Sequence, residues 1–228
     1  MESAARARPL KVGLIVPINN TTMERELAGW LPPGSTVETR RIPRGKGLIT
    51  PDVLPAYVAN TLELARTLPD DIDAVAYGCT AAGFVAGPEG EAQLAQSLRE
   101  LTGKPVITTA RAMVVALSEA GAQDIALVTP YSEQVNRALM RFLDEGRIAV
   151  RRLSSFEAAD VEALGRITHE EVAQRAREVM DEQCGAMFIA CSQLPTQAIL
   201  DDLEREFGKP VLSSIKATAM QTARAVLG

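Results

Sequence analysis

Histidine is nearly absent from this chain, which has one among 228 residues, and cysteine is scarce, with three. Too few ligands exist for a Cys₄ or Cys₂His₂ zinc site on the usual spacings, and too few cysteines for a disulfide framework. General acid–base chemistry, if present, therefore falls on thiols rather than on imidazole. Aromatics are also sparse, at 4% with a single tryptophan, which leaves no stacking platform for nucleic acid. Basic excess is missing too: the formal net charge is −5, against the basic face that nucleic-acid binding needs. No apolar run approaches the roughly 18 residues of a membrane span. Residues 1–9 carry no apolar stretch of the kind that precedes secretory cleavage and read as a frayed leader. Neither GxGxxG nor GxxxxGK[ST] occurs, so nucleotide binding has no motif. What remains is ordinary globular composition, 46% hydrophobic and 23% charged. The expectation is a soluble protein with free thiols in a reducing, cytoplasmic compartment.

Short apolar runs alternate with amphipathic stretches along the whole chain. Strands are predicted at 11–17, 36–42, 73–77, 106–108, 125–129, 148–153, 186–190 and 211–213. Helices are predicted at 23–31, 51–68, 89–101, 110–120, 132–145, 168–183, 196–207 and 217–227. Gly103 suits a helix C-terminus. Ser132 suits an N-cap. Thr168 with Glu171 suits a capping box. Residues 78–83 read as a tight turn. This alternation predicts an α/β fold with parallel sheet.

The chain also repeats itself. Val-Gly-Leu-Ile-Val-Pro at 12–17 matches Ile-Ala-Leu-Val-Thr-Pro at 125–130. The stretch 73–79 resembles 185–191, and Gly-Lys-Pro-Val at 103–106 recurs at 208–211. Three ordered matches at nearly one spacing point to two similar halves. The expected division is 10–108 together with 216–228 for one half and 109–215 for the other. In open parallel sheets ligands lie beyond the carboxyl ends of the strands. Cys79 and Cys191 each follow a strand directly, so two facing halves present both thiols to one cleft. Asn20 and Tyr131 also follow matched strands and point the same way. Backbone N–H groups after each cysteine, at Thr80–Ala81 and Ser192–Gln193, form anion-binding turns that lower a thiol pKa or hold a carboxylate. A buried cysteine is also a common core residue, and that reading fits Cys184, which lacks a counterpart. His169 reads as a solvated surface residue. The basic loop Arg44-Gly45-Lys46-Gly47 reads equally as a lid over an anionic ligand or as a plain solvated loop.

Pro17-Ile-Asn-Asn-Thr-Thr-Met-Glu24, Gly78-Cys79-Thr80 and Cys191-Ser-Gln-Leu-Pro-Thr196 resemble the aspartate/glutamate racemase superfamily. Within it the chain is most similar to maleate cis–trans isomerases and arylmalonate decarboxylases, from residue 12 to about 227. The resemblance implies two Rossmann-like halves, no cofactor or metal, and an active site in the cleft between the halves. It implies a small dicarboxylate substrate and a homodimer or higher homo-oligomer. It makes Cys79 the nucleophile toward maleate, Cys191 the acid–base partner, and Asn20 and Tyr131 carboxylate ligands. Backbone N–H groups at Thr80, Ala81, Ser192 and Gln193 would bind carboxylate or enolate oxygens. Decarboxylases similar to this chain have glycine at the first cysteine position, so Cys79 argues for isomerisation. Maleate isomerases usually carry an asparagine near 158–162, where this sequence reads Ala-Ala-Asp-Val-Glu. The alternatives are a two-thiol amino-acid or hydantoin racemase, an arylmalonate-type decarboxylase, and a non-enzymatic anion-binding protein.

Overall fold

A computed structural model describes residues 8–44, 47 and 49–228. Lys46, half of the basic loop, lies outside the described residues. Strand β1 (Lys11–Pro17) is followed by α1 (Thr22–Trp30), β2 (Thr36–Ile42) and α2 (Leu54–Ala65). Then come β3 (Ala74–Tyr77), α3 (Thr80–Thr102), β4 (Val106–Thr108) and α4 (Thr109–Glu119). Next along the chain are β5 (Asp124–Thr129), α5 (Glu133–Glu145), β6 (Ala149–Ser155), α6 (Val161–Gly165) and α7 (His169–Val179). Last come β7 (Ala186–Ile189), α8 (Leu200–Phe207), β8 (Val211–Ser213) and α9 (Ser214–Leu227).

The strands form two four-stranded parallel sheets of matching order, β2-β1-β3-β4 and β6-β5-β7-β8. The central strands are buried along nearly their whole length, because helices cover both faces. The matched segments occupy equivalent strands: 12–17 lies in β1 and 125–130 runs along β5. Thr108 and Ser213, which end β4 and β8, accept bonds from the Arg111 and Lys216 N–H groups and cap the helices that follow. Elements far apart in the chain meet in the core. Ile215 and Ala219 of α9 pack with Leu14, Val16, Met23 and Leu27. Phe84 of α3 stands edge-on to Tyr131 and Phe142, at ring distances of 6.1 and 5.7 Å.

Several local expectations need correction. Residues 78–83 are not a turn: helix α3 begins at Thr80, immediately after Cys79, and continues across a kink at Gly87. Gly87 has φ +71, and Pro88 opens the second segment, where its missing N–H costs nothing. The stretch 154–166 resolves into the end of β6 and the short helix α6, capped by Asp160. The capping box of Thr168 and Glu171 forms, but α7 stops at Val179, short of 183. Ser132 sits at the N-cap of α5 without a side-chain bond. The predicted helix from 196 starts later: residues 196–199 form a turn in which the Ile199 N–H donates to the Thr196 carbonyl at 3.0 Å, and α8 begins at Leu200.

Candidate active site

The inner strands β1, β3, β5 and β7 end on one cavity, enclosing about 570 Å³ of empty space counted out to its mouth. Both sheets have their order reversal at these strands, where a crevice opens between diverging loops. Asn20, Cys79, Thr80, Ala81, Tyr131, Cys191, Ser192 and Gln193, the eight residues singled out from sequence, all line it. The remaining wall is largely apolar, with Pro17, Ile49, Pro130, Val135 and Leu164. Cys184 and His169 are elsewhere. Cys184 is buried in the second half's core, and His169 is half-exposed beside Glu170.

Cys79 stands where β3 passes into α3. Gly78 anchors the crossing through its N–H, which donates to the Ile15 carbonyl at 2.8 Å. A Cβ on Gly78 would meet Met23 Sδ at 2.5 Å and Val16 Cγ1 at 2.6 Å, so only glycine fits without displacement. The Thr80 and Ala81 N–H groups belong to the first turn of α3, which has no intrahelical acceptors for them. Burial pushes the Cys79 thiol pKa up; the Tyr57 hydroxyl, the Ala82 N–H, the Arg44 charge and the Tyr77 hydroxyl pull against it.

Cys191 follows β7 but opens a turn rather than a helix, with the Leu194 N–H donating to its carbonyl at 3.3 Å. The local symmetry of the two halves is therefore broken at the thiols. The Cys191 N–H donates to Ser214 Oγ at 3.1 Å, and the Gln193 N–H donates to the sulfur at 3.4 Å. Burial raises this thiol pKa as well, opposed by the Gln193 N–H, the Tyr131 hydroxyl and the Leu194 N–H. Cys79 raises it further, because two thiolates in one cavity repel.

Polar side chains join the halves around the thiols. Asn20 Oδ1 accepts the Thr22 and Met23 N–H groups at 3.2 and 3.1 Å. Its Nδ2 donates to Ser192 Oγ at 2.9 Å, and that hydroxyl donates to the Gly78 carbonyl at 2.6 Å. The Asn20 amide thus retains one N–H for a ligand. Gln193 Oε1 accepts the Thr21 N–H at 3.2 Å. Glu26 of α1 accepts the Thr196 N–H and hydroxyl and the Gln197 N–H at 2.9, 3.0 and 3.1 Å. The Tyr131 carbonyl is held by Asn136 Nδ2 at 3.1 Å and Ser155 Oγ at 2.6 Å.

Sequence reasoning missed Tyr57 and Asn19. The Tyr57 hydroxyl is buried beside the Cys79 thiol without a well-formed hydrogen bond. Asn19 lines the cavity with its Oδ1 buried and unpartnered. Only the doubled asparagine after β1 pointed to Asn19, and nothing in sequence linked Tyr57 to a strand end in the site. Among the described residues no group of three or more His, Cys, Asp or Glu is placed to hold a metal ion.

The family profile described as arylmalonate decarboxylase matches residues 12–227. A maleate isomerase of Nocardia farcinica is 29% identical, covering 95% of this chain and 90% of its own. An arylmalonate decarboxylase of Bordetella bronchiseptica is 31% identical over 76% of this chain and 73% of its own. A solved cysteine-to-serine variant of the Nocardia farcinica maleate cis–trans isomerase, carrying a covalently bound succinylcysteine intermediate, superposes with TM-score 0.85 at 27% identity, covering 96% of this chain and 93% of its own. By sequence along nearly its whole length and by fold, the chain belongs to the arylmalonate decarboxylase family.

Proposed function

We propose that the protein is a cofactor-independent cis–trans isomerase of a small unsaturated dicarboxylate, with maleate the first substrate to test. The observation that carries this is the pair of buried thiols in one cavity, each at a strand end and each facing hydrogen-bond donors. The Cys79 thiolate adds to one alkene carbon, and the π electrons move toward the carboxylate on the neighbouring carbon. The Cys191 thiol protonates that carbon. The adduct has a C–C single bond where the double bond was, and it rotates. The Cys191 thiolate then removes the proton, the C–S bond breaks, and fumarate leaves with the Cys79 thiolate regenerated. Covalent addition turns a forbidden rotation into an easy one.

Thr80, Ala81, Ser192 and Gln193 supply backbone donors to carboxylate or enolate oxygens, and Asn20 and Tyr131 add side-chain donors. The covalent succinylcysteine held by the Nocardia farcinica isomerase supports this route. Cysteine at position 79 supports isomerisation over decarboxylation. In the same reading, 10–108 with 216–228 and 109–215 are the two halves, and the chain is a cytoplasmic homodimer or higher oligomer.

Proton NMR of the reduced protein with maleate tests the proposal. Fumarate is expected, with none from Cys79→Ser. Intact mass of Cys191→Ser is expected to show an adduct of one substrate molecule. A wild-type protein inert toward maleate overturns the reading.

A further inference from the structure

The cavity lining is neutral except at one place. Among the described residues that line it, only Arg44 carries a charge. Arg44 lies two residues past the end of β2, and the Ile18 N–H donates to the Ile42 carbonyl at 3.0 Å, which holds this strand end against the Asn19–Asn20 loop. The side chain forms a partition. The cavity is on one side, and on the other is a separate hollow walled by Pro43, Val53, Ala56, Tyr57 and Asn60. Nη2 donates to the Gly47 carbonyl, while Nε is buried with no partner among the described residues. A buried donor without an acceptor is costly, and a guanidinium offers five donors in a planar fork that fits a carboxylate. Its charge acts on the first thiol: it pulls Cys79 and Tyr57 down and is not among the groups that move Cys191.

A dicarboxylate entering an apolar-walled cavity loses hydration at both ends. Backbone donors after the two cysteines provide for one carboxylate without any formal charge. The other needs a cation. We propose that Arg44 is a specificity-determining residue, whose guanidinium binds the second carboxylate of the substrate on the Cys79 side. This rests on the isomerase reading and sets its direction. Cys79 adds at the carbon bearing the carboxylate held by Arg44, and electrons flow toward the other carboxylate, where Cys191 delivers its proton. Arg44 then selects dianions over monoanions of the same shape. It also supplies a carboxylate ligand in a chain that lacks the asparagine usual near 158–162.

The test compares maleate with maleamate, its monoamide, which matches it in size with one charge fewer. Calorimetric titration of Cys79→Ser, which cannot form the adduct, is expected to show maleate bound about 10- to 100-fold more tightly, the range for a hydrogen bond to a charged group. Adding Arg44→Gln is expected to shrink that preference below about threefold, while binding of maleamate stays nearly constant. A residue with a merely structural role would weaken both ligands together. Should Arg44→Gln fail to fold, Arg44→Met keeps the stem and gives the same comparison. A preference for maleate that survives loss of Arg44 overturns the proposal while leaving the isomerase intact. If the wild-type protein makes no fumarate and Cys79→Ser binds no maleate, the isomerase reading itself fails, and the proposal with it.

Discussion

Tyr57, Tyr77 and Tyr131 are the only tyrosines in the chain. All three bury their hydroxyls near one of the two thiols, and none makes a well-formed hydrogen bond. Burial is the first cause that lifts each tyrosine pKa far above its ordinary value, and the neighbouring thiols add to it. Each therefore stays protonated and has an O–H to donate toward a thiolate. A donor facing a neutral thiol gains little; facing a thiolate it gains much more. Because burial outweighs these donors, Cys79 titrates above the ordinary thiol value of 9.0. The rate constant kcat/KM should accordingly rise with pH through and beyond that value. Tyr57→Phe is expected to lower kcat/KM by roughly 10- to 100-fold and to move the rise to higher pH, since it removes a bond to a charged group. An unchanged pH profile would show that Tyr57 does not support the thiolate. Tyr131 was visible in sequence because it follows a strand with a matched partner. Tyr57 lies in α2 and reaches Cys79 only through packing, and no local pattern records that.

At the scale of elements, the junction of β3 with α3 decides where the first thiol goes. A short β-rich run ending at Gly78 was readable, and so was the helix beyond Pro88. The helical turn between them was not, because Gly83 and Gly87 disguise it as a loop. Its value lies in tertiary contact: a Cβ on Gly83 would stand 2.6 Å from Ala110 Cβ, so this segment packs closely against α4. Gly78 has the same kind of constraint beneath the site. Gly78→Ala is expected to cost about 1–3 kcal/mol, since the added methyl overpacks against Val16 and Met23. Urea denaturation followed by circular dichroism measures it. A stability equal to wild type would mean that Met23 and Val16 yield freely. Helix α1 explains more of the Asn-Thr-Thr-Met-Glu run. Glu24 pairs with Arg41, whose Nη1 donates to the Asn20 carbonyl at 2.7 Å. Glu26 reaches the opposite half and holds the turn after Cys191.

For the whole molecule, the seam between the halves holds both cavity thiols and part of the stability. The Asn20–Ser192–Gly78 chain fixes the loop ends of both sheets around the cavity. Both thiols are buried there with raised pKa values. The sign of the pH dependence follows. Below the ordinary thiol value of 9.0 both states hold the protons, and the neutral thiols' contribution is complete. Above it the unfolded chain releases protons that the folded chain keeps, so stability falls as pH rises toward the folded values. The buried tyrosines extend that fall to still higher pH. Thermal unfolding measured across this range is expected to show the decline beginning near pH 9, and a Cys79→Ala/Cys191→Ala double variant is expected to flatten its first part. An identical decline in both proteins would count against buried neutral thiols. No helix among the described residues is long and apolar enough to cross a membrane.

The sequence by itself determined the alternation of strands and helices, the repetition of that pattern in two similar halves, and both cysteines with the residues just after them. These properties are local or repeat at a fixed spacing, so residue order alone carries them. Only the tertiary structure decided that Cys79 begins a helix while Cys191 begins a turn. It also decided that Asn19 and Arg44 line the cavity, that the Tyr57 hydroxyl lies beside the Cys79 thiol, and that Glu26 reaches across to the opposite half. These depend on which side chains meet once two sheets close around one another, and contacts between residues distant in the chain leave no periodic trace in it.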